Sequence, residues 1–207
     1  MISYSSQDIS VSDIEQAVHI QLQELPAGFL SSLGKRPLAL IFQHAAESKE
    51  GILVLAKEED KVIGYVMGTL DTSAFYLDFL RRRLWVAVRY FLPRLLSFSR
   101  FRKALETLIY PARKSQEGVK MIKAELLDLA VRREYHGKGV ARELFQHLVA
   151  EFQRLGIGEF QIPTTEGLAR AHRFYEKMGA RLLGSVEVHQ GQKTLIYQYK
   201  ISDEETL

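Results

Sequence analysis

The chain has 207 residues, 46% of them apolar and 26% charged, with no cysteine and a net charge of +3. Such a chain can bury one core without staples, and the missing cysteine excludes a disulfide framework, a thiolate zinc site and a cysteine nucleophile. The same absence, with an opening MISYSSQDIS that lacks the basic segment and apolar core of a secretion signal, gives the expectation of a cytoplasmic protein.

In chain order, Ile2 to Tyr4 reads as a short strand. Ser12 and Glu15 have capping-box spacing and open an amphipathic helix to about Leu25; a second helix is expected over 38–46. GILVLAKEEDKVIGYVMGTL holds two apolar β-rich runs around the charged tetrad Glu58 to Lys61, so 51–70 is expected to form a hairpin. KAELLDLAV (123–131) reads as a strand and VARELFQHLVAEFQRLG (140–156) as a helix ending on Gly156. EFQIPTT is a further strand, GLARAHRFYEKMG a helix closed by Gly179, and ARLLGSVEVH and KTLIYQYKI two last strands around the turn Gln190 to Gln192. The acidic tail SDEETL is expected to fray. No repeat interrupts this order, which predicts a single domain over 1–207 of the α/β or α+β class, a sheet covered by helices.

Charge is unevenly spread. Residues 71–114 carry ten Lys or Arg against Asp71, Asp78 and Glu106, a local balance of +7, which leaves −4 for the rest.

YHGKGVARELF leaves the end of a predicted strand and enters a predicted helix. N–H groups at a helix start lack intrahelical partners and sit at the positive end of the helix dipole, so such a turn favours an anion, above all a phosphate. Gly137 and Gly139 permit close approach and unusual φ/ψ, and Lys138 and Arg142 add charge; a tight strand-to-helix turn uses the same glycines. Two nucleotide motifs fail. A P-loop needs Lys and then Ser or Thr after its last glycine, where Val140 stands, and a dinucleotide fingerprint needs a small residue where Arg142 stands.

LAVRREYHGKGVARELFQHL resembles the acyl-CoA-binding segment of the GNAT superfamily of N-acyltransferases: a strand, then Arg or Gln, two residues, Gly, one residue, Gly or Ala, then a helix. The match runs over His136, Gly137, Lys138, Gly139, Val140 and Ala141, with His136 in the Arg or Gln position. ARAHRFYEKMGARLLG resembles the second signature of the family at Ala171, Tyr175, Glu176, Lys177 and Gly179, with Leu168 and Ala180 in place of the usual Asn and Phe. The resemblance implies a mixed, mostly antiparallel sheet flanked by helices. It also implies acetyl-CoA as donor, no metal, and direct attack of a primary amine on the thioester, and the family usually has only a short connection between the third and fourth strands, where this chain is expected to carry a helical insertion.

An alkylamine with a reference pKa of about 10.4 must lose a proton, and the departing thiolate must receive one. The resemblance makes Tyr175 the general acid and Glu125 the first candidate for the base. Alternation puts Glu125, Leu127, Leu129 and Val131 on one strand face; a pairing of Glu125 with Lys123 or Lys120 is the structural alternative, and Asp128, on the opposite face, is the reserve base. Deprotonation through a water chain is also found in the family. Leu129, Ala130 and Val131 would pair with the pantetheine amides, and the N–H groups of 137–141 would hold the pyrophosphate. Lys138, Arg142 and Lys177 are the side chains available to the adenosine phosphates.

The basic segment makes up an insertion over 71–118, expected to be a helical hairpin with Pro93 opening its second helix. Its uncharged stretches fall far short of the roughly 20 residues of a membrane span, and its many aliphatic residues argue against nucleic-acid binding. Two readings stay open for 75–110: a lid or homodimer contact packed on the core, or a peripheral contact with anionic lipid at the inner membrane surface through Trp85, Phe91, Leu95, Phe98 and the arginines. In either case it is expected to shape the choice of acceptor, a small-molecule or peptide amine. The competing function is a non-catalytic acyl-CoA-binding module, for which His136, Leu168 and Ala180 speak.

Overall fold

The computed structural model describes residues 1–26, 28–82, 122–189 and 192–202. Its elements are β1 (Ile2–Ser5), α1 (Val11–Glu24), α2 (Phe29–Ser32), α3 (Lys35–Glu47), β2 (Gly51–Glu58) and β3 (Lys61–Thr69). A helix α4 covers the described residues 72–82. β4 (Glu125–Val131) follows, then a 3-10 turn (Arg133–Tyr135), α5 (Val140–Arg154), β5 (Glu159–Thr165), α6 (Ala169–Lys177), β6 (Arg181–His189) and β7 (Gln192–Lys200). The strands form one seven-stranded sheet in the order β1-β2-β3-β4-β5-β7-β6, mostly antiparallel, with a parallel pair at β4 and β5. The expected mixed, mostly antiparallel sheet flanked by helices is what forms. The expected basic insertion over 71–118 begins with α4, and residues 83–121 lie outside the described part of the chain.

The chain packs as two compact units. The first comprises Met1–Leu70 and Leu127–Leu155. Here β2 and β3 are buried almost end to end, which is why their sequence reads as continuous apolar runs: helices cover both faces. Tyr65 meets Phe42 of α3 edge to face at 4.9 Å, while a Cβ on the neighbouring Gly64 would meet Leu144 of α5 at 3.1 Å. Successive residues of β3 thus serve two helical layers. α5 turns one stripe inward, Val140, Leu144, Phe145, Leu148, Val149 and Phe152, at helical spacing.

The second unit comprises Asp71–Leu126 and Gly156–Leu207. β7 pairs antiparallel with β5 and with β6, and the start of β4 pairs with β5 at one register position, Glu125↔Gln161. Asp71 Oδ1 accepts the Ala74 N–H at 3.0 Å and caps α4, whose Phe75 and Phe79 are buried one turn apart.

The capping box of α1 falls two residues earlier than Ser12 and Glu15. Ser10 accepts the Asp13 N–H at 3.2 Å, and Asp13 Oδ2 accepts the Ser10 N–H at 3.0 Å. The shorter carboxylate wins because it has a second partner: Asp13 Oδ1 lies 2.7 Å from Lys57 Nζ of β2. Burial alone would raise the Asp13 carboxyl, but hydrogen bonds from Lys57, the Ser10 backbone and the Ser10 hydroxyl outweigh it and hold it below the usual carboxylate range. A lowered folded pKa contributes stability that is present above the unfolded value of about 3.9 and is lost as pH falls through the folded one. Asp13→Ala is therefore expected to cost about 2 kcal/mol at pH 7. In urea titrations the gap from wild type should hold down to about pH 5 and narrow below pH 4; a gap independent of pH would refute the ionic part of this account.

Candidate active site

In the first unit the strand ends where Arg132 turns to β3. Its N–H donates to Ile63 O at 2.8 Å and its Nε to Val62 O at 2.8 Å. The 3-10 turn follows, and then the chain reverses through two left-handed glycines, Gly137 at φ +77° and Gly139 at φ +85°. A residue with a Cβ would be strained at either place. A Cβ built on either would meet nothing within 4 Å, so the loop faces open space. Gly139 is the N-cap of α5, and no side chain caps that helix. Its dipole and leading N–H groups, on Val140, Ala141 and Arg142, are thus available to an anion. Lys138 and Arg142 are exposed beside them, and Lys138 Nζ sits 4.8 Å from the centroid of the Tyr135 ring. These features fit the pyrophosphate of an acyl-CoA.

His136 is half-buried, and its Nε2 donates to Val131 O at 2.7 Å. A carbonyl can only accept, so the proton is on Nε2 whether the ring is neutral or charged. The histidine in the Arg or Gln position thus staples the loop back to the last residue of β4. It also qualifies the expected edge. The Ala130 carbonyl lies against Gly64 of β3, and the Arg132 N–H is bonded to Ile63, so the groups of Ala130 and Arg132 point to β3. By alternation those of Leu129 and Val131 point the other way. One acceptor on that edge, Val131 O, is already engaged by His136.

The second unit carries both expected catalytic residues. Glu125 Oε2 accepts from Gln161 Nε2 at 2.7 Å and from the Thr72 hydroxyl at 3.4 Å. Thr72 opens α4, and its N–H donates to Lys123 O at 3.1 Å. Lys123 forms its ion pair with Asp71, at 3.4 Å, while Lys120 lies outside the described residues. Glu125 is thus braced by an amide and a hydroxyl, a pair of partners for which the sequence offers no local signal.

Tyr175 is 7% exposed on α6, its ring edge to face with Phe174 at 5.3 Å and tilted against Tyr197 at 6.5 Å. Tyr197 of β7 extends the polar cluster: its hydroxyl donates to Glu176 Oε1 at 3.1 Å and lies 3.2 Å from His172 Nδ1. Burial, then the bond to Glu176 and its charge, raise the Tyr197 phenol above its usual value. His172 Nε2 donates to Thr165 O and Glu166 O, both at 3.0 Å. Sequence reasoning misses Tyr197, because it lies outside both motifs and reaches α6 only through the pairing of β5 with β7. Leu168, in the usual Asn position, is the N-cap of α6 and caps it with no side chain.

In the first unit, burial pushes the Asp128 carboxyl up to about 6, against the opposing influence of Gln21, the Leu129 N–H and Tyr65. Among the described residues no group of three or more His, Asp or Glu is placed to hold a metal ion, and no helix is long and apolar enough to cross a membrane.

Removing the His136 staple tests its role in the loop. His136→Ala is expected to lower CoA affinity about fivefold, the worth of one hydrogen bond of about 1 kcal/mol. His136→Gln, which keeps an N–H donor, should recover most of it by titration calorimetry. Equal affinity of wild type and His136→Ala would show that the staple does not order the loop.

Residues 99–180 match the model of the acetyltransferase (GNAT) family. No curated protein matches the sequence. Among solved structures, the ribosomal-protein-S18-alanine N-acetyltransferase of Escherichia coli is similar at a TM-score of 0.58 and 15% identity, over 100% of this chain and 99% of that one. PaiA N-acetyltransferase of Thermoplasma acidophilum, solved with coenzyme A, gives 0.60 and 13% over 97% and 99%. An aminoglycoside 6'-N-acetyltransferase, also complexed with coenzyme A, gives 0.59 and 14% over 98% and 97%. At such identities the likeness is one of fold, and the acetyltransferase (GNAT) family model matches less than half of the chain.

Proposed function

We propose that the protein transfers the acetyl group of acetyl-CoA to a primary amine by direct attack in a ternary complex. The observation that carries this reading is the loop at 136–142, with two left-handed glycines facing open space before a helix start that no side chain caps. Donor phosphates would rest on the N–H groups of Gly137 to Ala141, with Lys138 and Arg142 supplying charge. The pantetheine arm would run along the edge of Leu129 and Val131, as an added strand would.

When bound, acetyl-CoA supplies the thioester carbon to be attacked. The amine nitrogen forms the new C–N bond, the C–S bond breaks, and the thiolate leaves with the electron pair. Tyr175 returns a proton to that sulfur, a role open to a phenol that keeps its proton at neutral pH. Support for this role comes from the motif around Tyr175 and from its buried setting on α6. Acceptor choice is assigned in part to α4 and the basic segment that follows it, because Thr72 at the start of α4 is bonded to Glu125 of β4.

The test is a screen of acetyl-CoA turnover over protein N-termini, lysine side chains, amino sugars, polyamines and small amines, with and without anionic vesicles, read as thiol release. At least one amine class is expected to be acetylated. With that amine, Tyr175→Phe should lower turnover about 10²-fold and leave acetyl-CoA affinity within about twofold. Binding of acetyl-CoA without turnover on any amine would replace this reading with that of a binding module.

A further inference from the structure

The 3-10 turn between β4 and the glycine loop carries a cluster that neither motif accounts for. Tyr135 closes this turn, half-buried, and its hydroxyl donates at 2.5 Å to Glu58 Oε2 at the end of β2. Two ammonium groups lie at its ring, Lys138 Nζ at 4.8 Å from the centroid and Lys61 Nζ at 5.6 Å. All of these residues belong to the first unit.

The two lysines are not equivalent. Lys61 stands opposite Glu58 in the register of β2 with β3, yet its ion pair, at 3.2 Å, is with Glu134. Glu58 is bound instead by the Tyr135 phenol, and that bond, followed by burial, raises the phenol above its usual value, so it goes on donating. Lys138 is exposed, and among the described residues no carboxylate pairs with its Nζ. Its ammonium is thus placed by the ring while its charge stays uncompensated. A phenol that donates to a carboxylate gains electron density, which its ring face offers to a cation. The backbone helps as well, since the Lys138 N–H donates to Tyr135 O at 3.4 Å. Lys138 stands between Gly137 and Gly139, which face open space, so an anion can come up to it. A lysine held in this way has less freedom to lose on binding than one that is merely solvated.

We propose that Tyr135, tied to β2 through Glu58, is a positioning residue of the donor site whose ring holds the Lys138 ammonium ready for a phosphate of acyl-CoA. This deepens the acetyl-transfer reading and rests on it. Tyr135 acts through Lys138 and not on the ligand itself, so its effect on affinity requires the lysine. The ring takes one side of the ammonium and leaves N–H donors for the phosphate, so the contact persists in the complex.

A double-mutant cycle on CoA affinity, measured by titration calorimetry, tests this. Lys138→Met is expected to weaken binding about tenfold and Tyr135→Leu about threefold, the worth of an exposed contact between a cation and a ring. In the Lys138→Met background Tyr135→Leu should cost nothing further, whereas a tyrosine that merely supports the loop would cost the same in both. Tyr135→Phe, which keeps the ring, should stay within about twofold of wild type. Dephospho-CoA identifies the anion: an equal loss with both ligands assigns the pyrophosphate, a loss confined to CoA assigns the 3'-phosphate, and either supports the proposal. Should Tyr135→Leu not fold, proton NMR of wild type decides. The Lys138 Cε protons, identified by their loss in Lys138→Met, should resonate upfield of the other lysines through the ring current and stay there when CoA is bound. Independent effects of the two substitutions, a Tyr135→Phe protein as weak as Tyr135→Leu, or Lys138 signals at the ordinary lysine position would overturn the proposal and leave the acetyl-transfer reading standing. Failure of wild type to bind CoA would overturn both.

Discussion

Alternation along β4 is the constraint on which the rest of the site depends. Side chains of a strand take turns between two faces, and its backbone groups take turns between two edges. On the faces, Val131 lies beside Gly64 on the α5 side, while Asp128, three residues before it, turns to the opposite face. On the edges, Ala130 and Arg132 bond toward β3, which leaves Leu129 and Val131 to face outward. One seven-residue strand thus anchors the sheet through one edge and sends its side chains to two layers.

The glycines of the loop after β4 face open space. The helix behind it lacks a side-chain cap, a deficit worth about 1 kcal/mol in an ordinary helix, and a bound phosphate would make it good. Local order is kept by other means. His136 ties back to Val131 O, the Lys138 N–H to Tyr135 O at 3.4 Å, and Lys138 Nζ rests over the Tyr135 ring. Under the proposed function, a loop held in shape before its ligand arrives would spend less binding energy on ordering.

Much of this was legible in the sequence, because the deciding signals are local. Two glycines between a strand pattern and a helix pattern place the turn before α5, and the hairpin at 51–70, the helix from Val140 and the closure of α6 at Gly179 follow from periodicity and end signals. The capping box was misplaced by two residues because Lys57, 44 positions away in sequence, decides which carboxylate is used. The bond of Glu125 to Gln161 and Thr72, the Tyr197–Glu176 contact and the Gln21–Tyr65 bond are likewise set by strand pairing and helix packing. α2 escaped notice because four residues are too few to show a helical period.

Glu125 and Asp128 cannot both act on one amine nitrogen. They stand three residues apart, an odd spacing, so an unbroken strand turns them to opposite faces. Their surroundings differ as well. Glu125 Oε2 accepts from Gln161 and shares the Thr72 hydroxyl, in the first turn of α4, with Lys123 O, so movement of that carboxylate would disturb the start of the basic segment. Asp128 has neutral partners, and burial pushes its carboxyl up to about 6. The same strand thus carries one carboxylate that joins β4 to α4 and another that burial raises.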